Sequence, residues 1–269
     1  MTAPATSEPM QPRWKRLYHD VRRCAFDIIR RRPLRIVEVA AAGLMLAAAA
    51  LFIVLADEIT EGESFRFDAE LLKAFRDAND PARTIGPRWL EDVMLDATAL
   101  GSGLVLSIIV AVSAGFLYME KQRRVATLML ATTMSGALLS IFLKWVFARP
   151  RPIVVPHLRH VTSMSFPSGH AMASAVVYLT LGVMFMKAVS SRRAKAFCMV
   201  VAISLTLLIG FTRVFLGVHY PSDVLGGWLA GCAWASLAWI VGQFIPSRPI
   251  AERSDEPVKN SHDHENTGA

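Results

Sequence analysis

Charge is scarce in this chain: 19% of its 269 residues are Asp, Glu, Lys or Arg, against about 25% in a soluble domain. Apolar runs of roughly 20 residues therefore go uninterrupted, which excludes an ordinary soluble globule and a disordered chain. Cysteine is scarce too. Cys24, Cys198 and Cys232 are widely separated and odd in number, so neither a disulfide framework nor metal-ligand spacing is present. They read as small buried apolar residues. No internal repeat is found, and no collagen-like period. A cleaved leader is not expected, because the first 35 residues are polar and basic and the apolar run that follows is too long for an h-region. What fills the chain is hydrophobic residue, at 53%, with twelve methionines and six tryptophans and a mean hydropathy of +0.38. One compact membrane bundle fits this length, with little left for a second domain.

Net charge is +7 and the isoelectric point about 9.7. A basic chain first suggests nucleic acid as a partner. Basic flanks on the cytoplasmic side of membrane spans account for the charge more simply, so no nucleic-acid partner is expected. Six apolar stretches run over 36–56, 97–119, 125–146, 171–186, 196–216 and 224–245. At ~1.5 Å per residue most of them cross a ~30 Å hydrocarbon layer as helices. The fourth is short and can lengthen backwards through Ser168-Gly169-His170. Continuous rather than alternating hydrophobicity excludes a β-barrel. The expected fold is an all-α, six-span transmembrane bundle over 36–245, preceded by a basic segment (1–35) and followed by a polar, disordered tail (246–269). That tail holds His262-Asp263-His264, read as solvated rather than as a metal site.

Counting Lys and Arg orients the bundle. Residues 1–35, the loops after spans two and four, and the tail hold 19 of the 29. That side is expected to be cytoplasmic, with both termini inside. Segments 57–96, 147–170 and 212–223 then face outward. In the first, Leu71, Leu72, Phe75 and Ala78 recur at helical spacing. A short amphipathic helix on the outer membrane surface and a plain connecting loop both fit.

The remaining polar residues gather at the outer ends of spans three to six, where charge at membrane depth is costly and points to function. One cluster is Lys144, then Arg149-Pro150-Arg151-Pro152; alone it would pass for a snorkelling anchor. A second is Ser165-Phe166-Pro167-Ser168-Gly169-His170. Pro suits a first helical turn and Ser an N-cap. Such a helix start frees backbone N–H groups for an anion, and Gly169 permits close approach. The third is Thr212-Arg213, then His219-Tyr220-Pro221-Ser222-Asp223. A carboxylate on one imidazole nitrogen fixes the tautomer and leaves the other nitrogen as nucleophile or base. Arg213 offers a planar donor fork that matches phosphate. Cations, a helix N-terminus, a His–Asp pair and a second His are equipment for phosphoryl transfer through a phosphohistidine.

These clusters resemble the signature of the type 2 phosphatidic acid phosphatase family. Lys144 with Arg151-Pro152 matches its first motif, Pro167-Ser168-Gly169-His170 its second, and Arg213, His219 and Asp223 its third. Thr212 replaces the usual Ser and keeps a hydroxyl. The resemblance covers about 80 residues by motif, and it implies an acid phosphatase/vanadium haloperoxidase-like core. It also implies roles. Lys144, Arg151 and Arg213 would clamp the phosphate, and Ser168 and the Gly169 backbone would donate to it. His219 would attack phosphorus, oriented by Asp223, and His170 would protonate the leaving oxygen. No cofactor or metal is implied. The expected substrate is a membrane lipid phosphate or diphosphate: phosphatidic acid, phosphatidylglycerol phosphate or undecaprenyl diphosphate. The expected location is a bacterial inner membrane, with the site on the outer face.

Two other readings stand beside this one. A non-catalytic lipid transporter or receptor should have lost His170, His219 or Asp223, all of which are present. Transfer of phosphate to an acceptor other than water remains open, whereas vanadate-dependent peroxidation belongs to soluble relatives. Arg149 matches no motif position; it either adds field to the site or anchors the span. His157 and His160 lie in the outer loop without a motif match. Gly227-x-x-x-Gly231 is read as a helix-packing stripe within the chain, and Trp228, Trp234 and Trp239 as core or interface anchors.

Overall fold

The computed structural model describes residues 35–61, 66–159, 161 and 163–244. The basic segment before Arg35, the tail with His262-Asp263-His264, Cys24 and His160 lie outside the described residues. Residues up to Ala40 and those from Ala41 onward form separate compact units, and the site lies in the second.

Eight helices occur among the described residues: α1 (Ile36–Thr60), α2 (Arg66–Ala74), α3 (Arg88–Ala99), α4 (Gly103–Met119), α5 (Arg123–Phe147), α6 (Gly169–Ala188), α7 (Arg192–Phe215) and α8 (Pro221–Gln243). No strand is found among these residues beyond one isolated bridge between Arg76 and Thr84. Helices α1, α5, α6, α7 and α8 are long and apolar enough to cross a membrane. A sixth apolar stretch is divided between two helices. Helices α3 and α4 meet at a 46° bend, so residues 97–99, read from the sequence as the start of span two, belong instead to α3. The cause is local. Ser102 caps α4 by accepting from the Val105 N–H at 3.3 Å, and Gly101 lies against His170 and Ile209, where a Cβ would stand 3.2 Å from the His170 ring. A straight helix with a side chain at 101 would collide with the site.

Helix α6 is the central post. Its residues Val177, Tyr178 and Leu181 join Leu106, Val110, Ala114 and Leu117 of α4, Ala126 and Met129 of α5, and Ala202 and Ile209 of α7 in one apolar core. Helix α8 closes on α6 through the predicted glycine stripe. A Cβ on Gly227 would lie 2.7 Å from the Ser168 carbonyl oxygen, and one on Gly231 would lie 2.6 Å from Ala175 Cβ. Only a bare backbone permits this approach. The outward surfaces are apolar: Leu104, Val112, Ile141, Ile53 and Phe197 are all well exposed, as lipid contact requires and water does not tolerate over such an area. Hydroxyls within the spans bond back to their own helices, as Thr132 does to the Leu128 carbonyl and Thr206 to that of Ala202. Trp234 and Trp228 donate across to the Thr132 and Thr206 carbonyls, each at 3.1 Å, which makes both tryptophans internal anchors. Cys198 and Cys232 are free and half-buried, not core residues as expected, because their helices face outward as well as inward.

The segment between α1 and α4 differs most from expectation. Helix α2 forms, but it is fastened to the protein as well as amphipathic: Leu72 is wholly buried against Val155, Val214 and Val224, and Asp68 is buried with it. Arg76, just past α2, donates to the Phe215 carbonyl at 2.9 Å and the Pro156 carbonyl at 3.3 Å. It thereby ties the end of α7 to the loop after α5, at a helix C-terminus that favours a cation.

Candidate active site

Four helix ends meet at one end of the bundle. Helix α5 stops at Ala148, which adopts the left-handed conformation (φ 43°) while its N–H still bonds to the Lys144 carbonyl at 3.0 Å. The chain then turns into Arg149-Pro150-Arg151-Pro152, where the prolines bar further helix. Helix α6 starts at Gly169 with Ser168 as N-cap, its hydroxyl accepting from the Ala171 N–H at 3.5 Å. Pro167 stands outside the helix, following a cis peptide bond, rather than in its first turn as the sequence suggested. Gly217 (φ 74°) turns the chain after α7, and Pro221 opens α8 at its first position.

Backbone bonds lock the ends together. The Ser165 N–H donates to the Arg149 carbonyl at 2.8 Å, and the Ser168 N–H to the Asp223 carbonyl at 2.9 Å. The Lys144 ammonium donates to the Met164 carbonyl at 2.7 Å and stands beside Gly169, where a Cβ would be 3.4 Å from Lys144 Cε.

His219 is the centre of this arrangement. Its Nδ1 lies 3.4 Å from Asp223 Oδ2 and 3.3 Å from the Ser165 hydroxyl. Its Nε2 lies 3.2 Å from Arg151 Nη1. The carboxylate therefore stands on one ring nitrogen, and the other faces a cation. Asp223 Oδ2 also accepts from the Ser165 hydroxyl and, at 2.9 Å, from the Tyr220 N–H, so it caps α8 while it holds the imidazole. Burial keeps the His219 pKa well below the ordinary imidazole range; Asp223 opposes the shift, and Arg151 and Lys144 reinforce it. The ring is neutral at pH 7, with an Nε2 lone pair available.

Arg213 is 2% exposed. One guanidinium nitrogen donates to Thr98 of α3 at 3.0 Å, and its buried Nε has no protein partner. His170 Nε2 is likewise buried and unpartnered. Buried polar groups are rarely left this way, and two of them at a cationic site mark where an anion docks. Arg151, Arg159, Arg213 and His219 all lie close enough to act electrostatically on His170, so residues of all three motifs gather around one ring. Each of Lys144, Arg151, Ser168, Gly169, His170, Arg213, His219 and Asp223 is at this end of the bundle. His157 instead bonds the Pro152 carbonyl at 2.7 Å, within the loop after α5.

Asp68 and Thr98 were not singled out from the sequence, Ser165 was given no role beyond its place in the second cluster, and Arg149 was left between adding field to the site and anchoring the span. Arg149 Nη1 contacts Asp223 Oδ1 at 2.6 Å and the Ser222 hydroxyl at 2.8 Å, and its guanidinium lies 4.5 Å above the Tyr220 ring. It belongs to the site and does more than anchor a span. Its place between Lys144 and Arg151 was the available signal. Nothing in the sequence marks Asp68 or Thr98, because their partners are 154 and 115 residues away.

A helical membrane bundle that holds a neutral histidine and a buried carboxylate among cations is a membrane protein built for an oxyanionic substrate. Residues 124–246 match the PAP2 superfamily. Phosphatidylglycerophosphatase B of Bacillus subtilis is 38% identical over 145 residues, 53% of this chain and 70% of that protein. Undecaprenyl-diphosphatase of Sulfolobus acidocaldarius is 27% identical over 133 residues, 48% of this chain and 60% of that protein. The crystal structure of a transmembrane PAP2-type phosphatidylglycerolphosphate phosphatase from Bacillus subtilis superposes with a TM-score of 0.67 at 28% identity, covering 75% of this chain and 97% of that one. The chain belongs to the PAP2 superfamily. It is a multi-pass membrane lipid phosphatase of that type.

Proposed function

We propose that this enzyme hydrolyses a lipid phosphate, phosphatidylglycerol phosphate first among the candidates, through a phosphohistidine on His219. The observation that carries the reading is the imidazole itself, with Asp223 on Nδ1 and Arg151 facing Nε2. The Nε2 lone pair attacks phosphorus; an N–P bond forms as the P–O bond to the lipid breaks. Lys144, Arg151 and Arg213 neutralise the equatorial oxygens, with the Ser168 hydroxyl and Gly169 N–H beside them, as a preorganised site must in low dielectric. Protonated His170 gives its proton to the departing oxygen. Water then attacks phosphorus, the N–P bond breaks, and His170 takes up the water proton as inorganic phosphate leaves.

Likeness to the phosphatidylglycerophosphatase over most of its length supports the glycerophospholipid substrate. Likeness to an undecaprenyl-diphosphatase supports a prenyl diphosphate as the second reading. The positive-inside count supports a site on the non-cytoplasmic face of a bacterial inner membrane, with both termini cytoplasmic and one catalytic domain over 36–245. The lipid would reach the site laterally, its chains against the spans.

Phosphate release from phosphatidylglycerol phosphate, phosphatidic acid and undecaprenyl diphosphate, compared in one detergent, tests the substrate. His219→Ala tests the chemistry. The variant is expected to insert and fold and to release no phosphate. Near-normal turnover would remove His219 as nucleophile.

A further inference from the structure

Asp68 lies on α2, outside the stretch that matches the superfamily, and is 2% exposed. A buried carboxylate is costly unless paired, and this one is bound on both oxygens. Oδ1 accepts from the Ser222 N–H at 3.0 Å. Oδ2 accepts from the Ser222 hydroxyl and from Arg149 Nη2 at 3.2 Å. Arg149 in turn reaches Asp223 Oδ1 at 2.6 Å through its other terminal nitrogen. Asp223 presents Oδ2 to His219. The order Asp68–Arg149–Asp223–His219 is continuous, and Ser222 braces it by donating to Asp68 and accepting from Arg149.

We propose that Asp68 and Arg149 are positioning residues for the attacking histidine, acting through Asp223; this rests on the phosphohistidine reading above. Two arguments support it. The first is geometric. Arg149 holds Oδ1, which fixes the carboxylate plane and leaves Oδ2 turned to the imidazole. The planar fork lets one guanidinium bridge both acids, which an ammonium point charge does not do as rigidly. The second is electrostatic. Arg149 and Asp223 alone would form a neutral pair, and a buried neutral pair does little for a developing imidazolium. Asp68 shares the guanidinium and returns the cluster to a net charge of −1. That charge stabilises His219 as it becomes a cationic phosphohistidine. Asp68 also accepts at the first turn of α8, where a helix N-terminus favours an anion.

The experiment measures kcat and KM for phosphatidylglycerol phosphate in the full-length, detergent-solubilised enzyme. Asp68→Asn keeps the shape and removes the charge. It is expected to lower kcat by about tenfold, the size of a strongly coupled contact, with KM within about twofold of wild type, because Asp68 touches no substrate. In an Asp223→Asn background the same change is expected to cost less than about twofold, since its effect passes through Asp223. With p-nitrophenyl phosphate, whose leaving group needs no proton, the kcat loss is expected to persist. A rise in KM at constant kcat, or an equal loss in both backgrounds, would overturn the proposal and leave Asp68 as a clamp for α2. Arg149→Lys decides the matter if Asp68→Asn does not fold: it should show the same kcat loss at unchanged KM, and wild-type kcat would overturn the proposal. His219→Ala measured in parallel separates the two levels. An active His219→Ala sinks the phosphohistidine reading itself. Full kcat in Asp68→Asn beside a dead His219→Ala sinks only the role of Asp68 and Arg149.

Discussion

Gly227→Ala adds one methyl group at the seam that sets the catalytic geometry. The new Cβ would stand 2.7 Å from the Ser168 carbonyl oxygen, 2.9 Å from Ala171 Cβ and 3.1 Å from the Met172 nitrogen. Two of these three atoms are backbone, and carbon requires about 3.5 Å of each, so no rotamer change relieves the contact. The start of α6 must move away from α8 by several tenths of an ångström. Ser168, Gly169 and His170 ride on α6, while His219 and Asp223 sit at the entry to α8, and the Ser168 N–H to Asp223 carbonyl bond spans the gap. Overpacking of this kind costs about 1–3 kcal/mol of stability. Displacement of His170, the proposed proton donor, from His219, the proposed nucleophile, is expected to cost roughly 10–100-fold in kcat, given that about 1 Å costs 10²-fold. Thermal melting and phosphate release in detergent read the two effects separately. Gly115→Ala is the control: nothing lies within 4 Å of its Cβ, and replacing a helical glycine is neutral or favourable. Wild-type kcat together with an unchanged melting temperature in Gly227→Ala would refute the packing argument.

Other outcomes follow from the same geometry. His170→Ala should slow release of a lipid alcohol by roughly 10²–10⁴-fold and should hurt far less with p-nitrophenyl phosphate; an equal loss with both substrates would remove it as proton donor. Burial lowers the His219 pKa from its ordinary value of 6.5, so the proposed nucleophile stays neutral as pH falls through 6.5. The acidic limb of kcat/KM attributable to His219 is expected below that point. The unfolded chain takes up this proton first, so the stability the neutral ring confers is present above pH 6.5 and declines below it; a melting temperature that rises on acidification from pH 7 to 5 would contradict the sign. Orthovanadate should inhibit by mimicking the five-coordinate transition state, and EDTA should leave turnover intact, with a strict Mg²⁺ requirement counting against the cationic clamp.

Span positions and catalytic motifs were readable because each is written locally. Hydrophobic runs mark helices α5 to α8, and a Pro-Ser or Ser-Gly pair marks where α6 and α8 begin. Spacing within each motif survives in the fold because each motif lies at one helix end or across the short turn between two. The bend beside Gly101 was not readable, since the side chains packed against that glycine, Ile209 and His170, come from distant parts of the chain. Helix α2 showed its period but not its destination. A lone aspartate among apolar residues looks like any solvated face until Ser222 and Arg149 are seen on it. Arg149 was visible as a charge and ambiguous as a function, because motif spacing says which residues recur and not which ones hold them.

Thr98 on α3 holds Arg213, and Asp68 on α2 holds Arg149. Both supports come from upstream of the motif-bearing half. A graft of residues 124–246 into another scaffold would carry every signature residue and leave Arg213 without Thr98 and Arg149 without Asp68. The transplantable unit of this phosphatase therefore begins with α2, and a chimera cut at the family boundary inherits the vocabulary of the site without its grammar.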